Sequence, residues 1–217
     1  MIDDITILIH TFRRPQALQR LKKSIGHFYP KAKVLIYDDS EYDRGLSWGR
    51  NHLVSEAKTK YIFLCDDDFI FTEQTNLLRL LASLIKEGVD IMGASVNDTH
   101  YHGVYKTEGN TVILLPAEKE LDFIPNCFLA KRDTLLKYKW DERLKLGEHF
   151  AYFYEYRGKI KIGFNPRVVI GHIHESSIGY AEMRGRAKDY VFQYMREKGI
   201  NKKIDLNGEI LEVPDVI

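Results

Sequence analysis

With 217 residues, and 32 Lys and Arg set against 31 Asp and Glu, the chain is long enough to bury a substantial core and too evenly charged for a broad nucleic-acid-binding face. Its two cysteines, Cys65 and Cys127, each lie in an apolar segment and read as reduced, buried thiols rather than a disulfide or a zinc site, which makes the cytoplasm the expected compartment. The opening MIDDITILIH carries acids where a signal peptide has a basic region, and no apolar run is long enough to span a bilayer, so any membrane role is limited to peripheral association.

ITILIH (5–10) has a strand's length and composition. TFRRP breaks it, and a helix follows with Ala17, Leu18, Leu21, Ile25 and Phe28 on one face, Pro15 standing in its first turn. KVLIYDDS (33–40) reads as a second buried strand that ends in two acids, 48–58 as a second helix and YIFLC (61–65) as a third strand. Thr72 is placed to cap a third helix whose packing face is Leu77, Leu78, Leu81 and Leu84, and VDIMGAS (89–95) is a fourth strand. This alternation predicts an α/β fold, a mostly parallel sheet sandwiched between helices.

Beyond residue 100 the pattern is less regular. TVILL (111–115) and LDFIP (121–125) read as short strands; a helix, two strands and a His-rich exit are expected between 135 and 175. Residues 179–199 read as one amphipathic helix with Met183, Ala187, Val191 and Met195 on a stripe, and nothing after Asn201 carries a clear signal. With no linker in sight, 1–217 is read as a single domain with three parts: 1–100, 101–198 and a tail, 199–217.

In open α/β sheets, ligands sit beyond the carboxyl ends of the strands. Thr11 to Arg14, Asp38 and Asp39, and Asp66 to Asp68 all fall at such ends. Three adjacent carboxylates repel one another unless they face water or a cation, and D-x-D spacing suits a hard divalent ion with oxygen donors. Trp48, Arg50 and Asn51 open the second helix, where a helix N-terminus and an arginine fork suit an anion.

In chain order, ITILIHTFRRP, VLIYDDS, GLSWGRN, FLCDDDF, WDERLKLGEHFAYF and NPRVVIGH resemble the motifs of the glycosyltransferase-A fold, especially the inverting family 2. Over residues 4–198 the chain is similar to the catalytic core of β1,4-N-acetylgalactosaminyltransferases. The resemblance implies a Rossmann-like three-layer α/β/α sandwich divided into a nucleotide-sugar half (1–100) and an acceptor half (101–198). It implies transfer of a hexose or N-acetylhexosamine from a UDP-sugar to a hydroxyl of a glycan or other acceptor, with inversion and with Mn²⁺ or Mg²⁺. Thr11, Arg13, Asp38, Asp39, Arg50, Asn51, Asp66 and Asp67 would bind the nucleotide. Asp66 and Asp68, with His172 or His174, would hold the metal. Relatives often carry Gly-Glu-Asp where this chain has Gly147-Glu148-His149, which leaves Glu148 and His149 as alternative bases. Asn126 matches the acceptor side, the aromatic cluster Phe150, Tyr152, Phe153, Tyr154 and Tyr156 reads mostly as core, and Arg184, Arg186 and Lys188 read as a solvated face or a closure over the diphosphate. Two rivals stand beside this reading: a Mg²⁺-dependent phosphohydrolase, whose downstream Thr/Ser and Lys contexts are not found, and a silent sugar-nucleotide-binding module.

Overall fold

The computed structural model describes residues 2–174 and 178–214. Its first part follows the expected alternation: β1 (Ile5–Thr11), α1 (Pro15–Phe28), β2 (Lys33–Asp38), α2 (Leu46–Glu56), β3 (Tyr61–Asp66), β4 (Phe69–Ile70), α3 (Leu77–Glu87) and β5 (Ile91–Val96). β1 is apolar throughout because it is central: Ile5, Ile7 and Ile9 enter the core on one face of the sheet and Leu8 the core on the other. Two local expectations fail. β2 is an edge strand, half-buried at best, since β1 pairs with it on one side only. α3 is capped by Asn76, whose side chain accepts from the Arg79 amide, and not by Thr72. Its inward stripe is Leu77, Leu80, Leu81 and Leu84, the helical repeat, whereas Leu78 is 48% exposed.

The second part contributes β6 (Gly103–Glu108), β7 (Thr111–Pro116), β8 (Phe128–Lys131), α4 (Arg132–Lys137), α5 (Glu148–Tyr156), β9 (Ile162–His172), α6 (Ile178–Gly185), α7 (Ala187–Glu197), β10 (Lys202–Ile204) and β11 (Ile210–Glu212). The main sheet runs β2-β1-β3-β8-β5-β9-β4, with β8 and β4 antiparallel to their neighbours. A smaller sheet, β11-β10-β7-β6, is built around the β6–β7 hairpin. LDFIP is not a strand. Leu121, Phe123 and Ile124 are buried, but the run makes only an isolated bridge from Phe123 to Gly103, and its apolar side chains fill the core from a loop. The two strands expected before the histidines are one, β9, interrupted by a register shift opposite Ala94 and Ser95, where Asn165-Pro166-Arg167 falls. A proline without an amide hydrogen in mid-strand accounts for that irregularity. The helix expected over 179–199 is divided between α6 and α7; Met195 is buried and Val191 half-buried, while the side chain of Met183 lies outside the described residues. Beyond Asn201, β10 adds to β7 in parallel. Among the described residues no helix is long and apolar enough to cross a membrane.

Candidate active site

The carboxyl ends of β1, β2, β3 and β5 border a cleft of about 350 Å³, lined also by the start of α5, by Arg184 of α6, by Arg186 between α6 and α7, and by Tyr190 of α7. Asp66, Asp67 and Asp68 all reach it, and two arginines supply the positive charge the triplet requires. Arg14 is buried and forks: Nε and Nη2 donate to the Asp67 carboxylate, and Nη1 to Asp68 at 2.7 Å. Asp67 is 1% exposed and also accepts from the Thr11 hydroxyl at 2.5 Å. Arg50, 1% exposed, donates from Nη2 to Asp66 at 2.9 Å and from Nη1 to Glu148 at 2.5 Å. Burial raises the Asp66 carboxyl to about 6 against the opposing Arg50, with Asp68 and Glu148 adding to the rise.

Several residues expected at the nucleotide have partners within the protein. Thr11 and Asp67 hold each other beneath the cleft. Arg13 is exposed, with a positive φ of 54°, and its amide donates to Ser40. Asp38 is an exposed turn acceptor for the Ser40 amide and hydroxyl. Arg50 braces Asp66 and Glu148, and Asn51 holds the backbone of Trp140 from both sides, donating to its carbonyl and accepting from its amide. The opening of α2 is likewise engaged: the Leu46 amide donates to Lys145 and the Ser47 hydroxyl to Leu144. Trp48 stacks on His52 outside the cleft. Asp39 does line the cleft. Burial would raise its carboxyl, but His10 and the amides of Arg44 and Gly45 outweigh that and hold it below the usual range. Asn126, Arg184 and Arg186 also line the cleft, and Lys188 does not.

Glu148 opens α5 and is 3% exposed, held against Arg50. Gly147 before it has a φ of 70°, and a Cβ there would lie 2.4 Å from Cγ2 of Val191, so this turn accepts only glycine. His149 follows on the cleft wall. Its Nε2 lies 2.7 Å from the Ile124 carbonyl, which can only accept, so the neutral ring carries its proton on Nε2. Burial pushes this imidazole down to about 4. The aromatic cluster is core: Phe150, Tyr152, Phe153 and Tyr154 are buried, and Trp140 stacks on Tyr152.

The two candidate histidines differ. His172 ends β9 with Nε2 3.5 Å from Asp68 Oδ2 and Nδ1 3.1 Å from Asp98 Oδ2. His174 is far more exposed; its Nε2 meets Asp98 at 2.9 Å. Asp98, in the turn after β5, is the residue that the motifs did not single out. Arg14 is the other addition, placed by the sequence only at the end of the first strand. Asp98, His172 and His174 each bring a possible ligand atom within 4.8 Å of the others, and Asp68 faces His172; oxygen and nitrogen together suit a divalent ion such as Mn²⁺ more readily than Mg²⁺.

The model of the family described as "Glycosyl transferase family 2" matches residues 13–156. Beta-1,4 N-acetylgalactosaminyltransferase 1 of Homo sapiens is 29% identical over 86% of this chain and 42% of its own length. Beta-1,4 N-acetylgalactosaminyltransferase 2 of Mus musculus is 30% identical over 77% of this chain and 39% of its own. The chain therefore spans less than half the length of these relatives. Among solved structures, S. aureus TarS 1-349 in complex with UDP-GlcNAc superposes with a TM-score of 0.62 at 11% identity, covering 88% of this chain and 65% of that one. Mannosyltransferase PcManGT from Pyrobaculum calidifontis, in complex with GDP-Man and Mn²⁺, gives 0.57 at 11%, covering 90% and 64%. The mixed sheet between helical layers is thus the glycosyltransferase-A fold that the motifs implied. With two thirds of its length in the family model and these two sequence relatives both named transferases, the chain belongs to glycosyl transferase family 2.

Proposed function

We propose that the chain transfers a hexose or N-acetylhexosamine from a UDP-sugar to an acceptor hydroxyl with inversion, using a divalent cation. The observation that carries this reading is the arrangement of one cleft: Asp66 and Asp68 with His172 on one side, Glu148 on the other, and Arg50 between them holding both Asp66 and Glu148. N-acetylhexosamines come first among donors, because the sequence relatives are named N-acetylgalactosaminyltransferases and the TarS structure is a complex with UDP-GlcNAc. Membership of a glycosyl transferase family leaves the phosphohydrolase reading without support. A cytoplasmic location is part of the proposal, in keeping with two buried free thiols.

Asp68 and His172 would hold the cation. Bound there, it supplies positive charge for the departing diphosphate. The remaining work falls to side chains of this chain. Asp39, fixed by two backbone amides, presents a rigid rim toward the uridine. Arg184 and Arg186 line the cleft and would meet the diphosphate. Glu148 takes the proton from the acceptor hydroxyl as that oxygen attacks the anomeric carbon. Arg50 keeps Glu148 aimed through their 2.5 Å contact. His149 is less suited to the task, since its Nε2 proton is tied to Ile124 and its lowered pKa makes it a weak base.

The test is UDP release from UDP-GalNAc and UDP-GlcNAc, with and without an acceptor glycan. Mn²⁺ should support release and EDTA should abolish it. Full turnover in EDTA would remove the cation from the reading, and no release from any UDP-sugar would favour a silent binding module.

A further inference from the structure

The surroundings of His172 set a constraint that its own sequence position does not. Both of its ring nitrogens face carboxylates: Nδ1 lies 3.2 and 3.1 Å from the two oxygens of Asp98, and Nε2 lies 3.5 Å from Asp68. A neutral imidazole has one N–H to give. The contact to Asp98 has hydrogen-bond length, whereas the contact to Asp68 is longer than N–H···O bonds ordinarily run. With the proton on Nδ1, a bare nitrogen lone pair faces a carboxylate oxygen, a repulsive pairing unless a cation lies between them. Two donors each about 2.1 Å from one ion sit about 3.0–3.5 Å apart at angles between octahedral and tetrahedral. The Asp68–His172 spacing falls in that range.

The backbone places this pair firmly. β9 is held at its end by β4, through Phe69 opposite His172, and the Ile173 amide donates to the Asp68 carbonyl. The His172 amide donates to the Asn97 side chain, which brings the turn after β5 against the ring, and Thr99 donates to Asp98.

We propose that Asp98 is a positioning residue: it holds the Nδ1 proton of His172, so that Nε2 is presented toward Asp68 as the nitrogen donor to the shared cation. This rests on the cation reading above and extends it by a residue which that reading does not require. It also selects His172, which meets both Asp68 and Asp98, over His174, whose Nε2 meets Asp98.

Two measurements test it on the full chain. In protein saturated with Zn²⁺, a diamagnetic stand-in for Mn²⁺, and carrying ¹⁵N-labelled histidine, long-range ¹H–¹⁵N spectra assigned with His172→Gln report which ring nitrogen meets the ion. His172 should bind through Nε2 and keep its proton on Nδ1, and Asp98→Ala should lessen that preference. Coordination through Nδ1 in the unaltered chain would overturn the proposal. The second measurement titrates Mn²⁺ and reads the free ion by electron paramagnetic resonance. Asp98→Ala should raise the Kd about 10- to 100-fold, the usual effect of losing an outer partner of a ligating histidine. Asp98→Asn keeps an acceptor oxygen and should lose less. An unchanged Kd in Asp98→Ala removes the role, and equal large losses in both variants make Asp98 a ligand and overturn positioning. No Mn²⁺ or Zn²⁺ binding by the unaltered chain refutes the cation reading itself and this role with it.

Discussion

Replacing Arg50 with methionine removes the cation shared by Asp66 and Glu148 while keeping an unbranched side chain of similar reach. Both arginine contacts are short, at 2.5 Å to Glu148 and 2.9 Å to Asp66, and Arg50 and Glu148 are buried. Stripping one partner from a buried ion pair costs about 3–5 kcal/mol, because the other charge is left without compensation. Asp66 is about one third exposed and can recover water, so the loss is concentrated at Glu148 and should lie near the lower end, about 3 kcal/mol. That is a large share of the roughly 5–15 kcal/mol available to a folded domain, and at about 2–4 °C per kcal/mol it lowers Tm by about 6–12 °C. Glu148→Gln in the same chain removes the stranded charge. The double variant should therefore be less destabilised than the two single losses predict, with a coupling of about 0.5–3 kcal/mol. Urea unfolding in EDTA, compared at equal m-values, measures all four corners of this cycle. A loss under about 1 kcal/mol in Arg50→Met, or additivity within about 0.5 kcal/mol, would show that the bridge does not link α2 to α5 as described.

Glu148→Gln should lower turnover about 10²- to 10⁴-fold with little change in donor affinity, and near-normal turnover at saturating acceptor would take Glu148 out of the mechanism. Gly147→Ala should destabilise the chain by more than about 1 kcal/mol, because alanine meets both a positive φ and Val191; an unchanged unfolding midpoint would contradict that packing. His149, lowered to about 4 in the folded chain, takes up fewer protons there than an unfolded histidine does, so its share of stability is present above about pH 6.5 and fades as pH falls toward 4. His149→Gln should flatten stability over that window, and an unaltered pH–stability slope would refute the assignment.

The first hundred residues were readable because their strands are interior. A strand covered on both faces is a short apolar run, and a helix over it shows its period; β1, α1, β3 and β5 all follow that rule. The misreadings came where apolar content and burial part company. β2 carries the apolar run Val34 to Tyr37 yet lies at the sheet edge, and Leu121, Phe123 and Ile124 are as buried as strand residues without belonging to a strand. β8, four residues long, was missed because a strand that short leaves no periodicity, although it fills the gap between β3 and β5. The tail strands β10 and β11 are each three residues long, and their pairing partners supply what their own sequence does not.

The site divides along a similar line. Which strand ends meet is a property of topology, and the alternation of strands and helices was enough to bring Asp39, Asp66, Asp67 and Asp68 to one cleft. Which side chain faces a ligand and which faces another side chain is a property of charge balance in three dimensions. Three carboxylates in a row demand cations, but the sequence contains 32 Lys and Arg and does not mark which of them answer. The two that do, Arg14 at the start of α1 and Arg50 within α2, lie 53 and 16 residues from their Asp67 and Asp66 partners. Once they are in place the triplet is no longer three equivalent ligands. Asp67 is consumed by Arg14 and Thr11, Asp66 is shared with Arg50, and Asp68, though it also meets Arg14, is the one that faces His172. The D-x-D spacing thus sorts by neighbours as well as by alternation: the middle carboxylate is spent on holding β1 to β3, and that bond fixes the outer two where a sugar nucleotide and its cation would meet them.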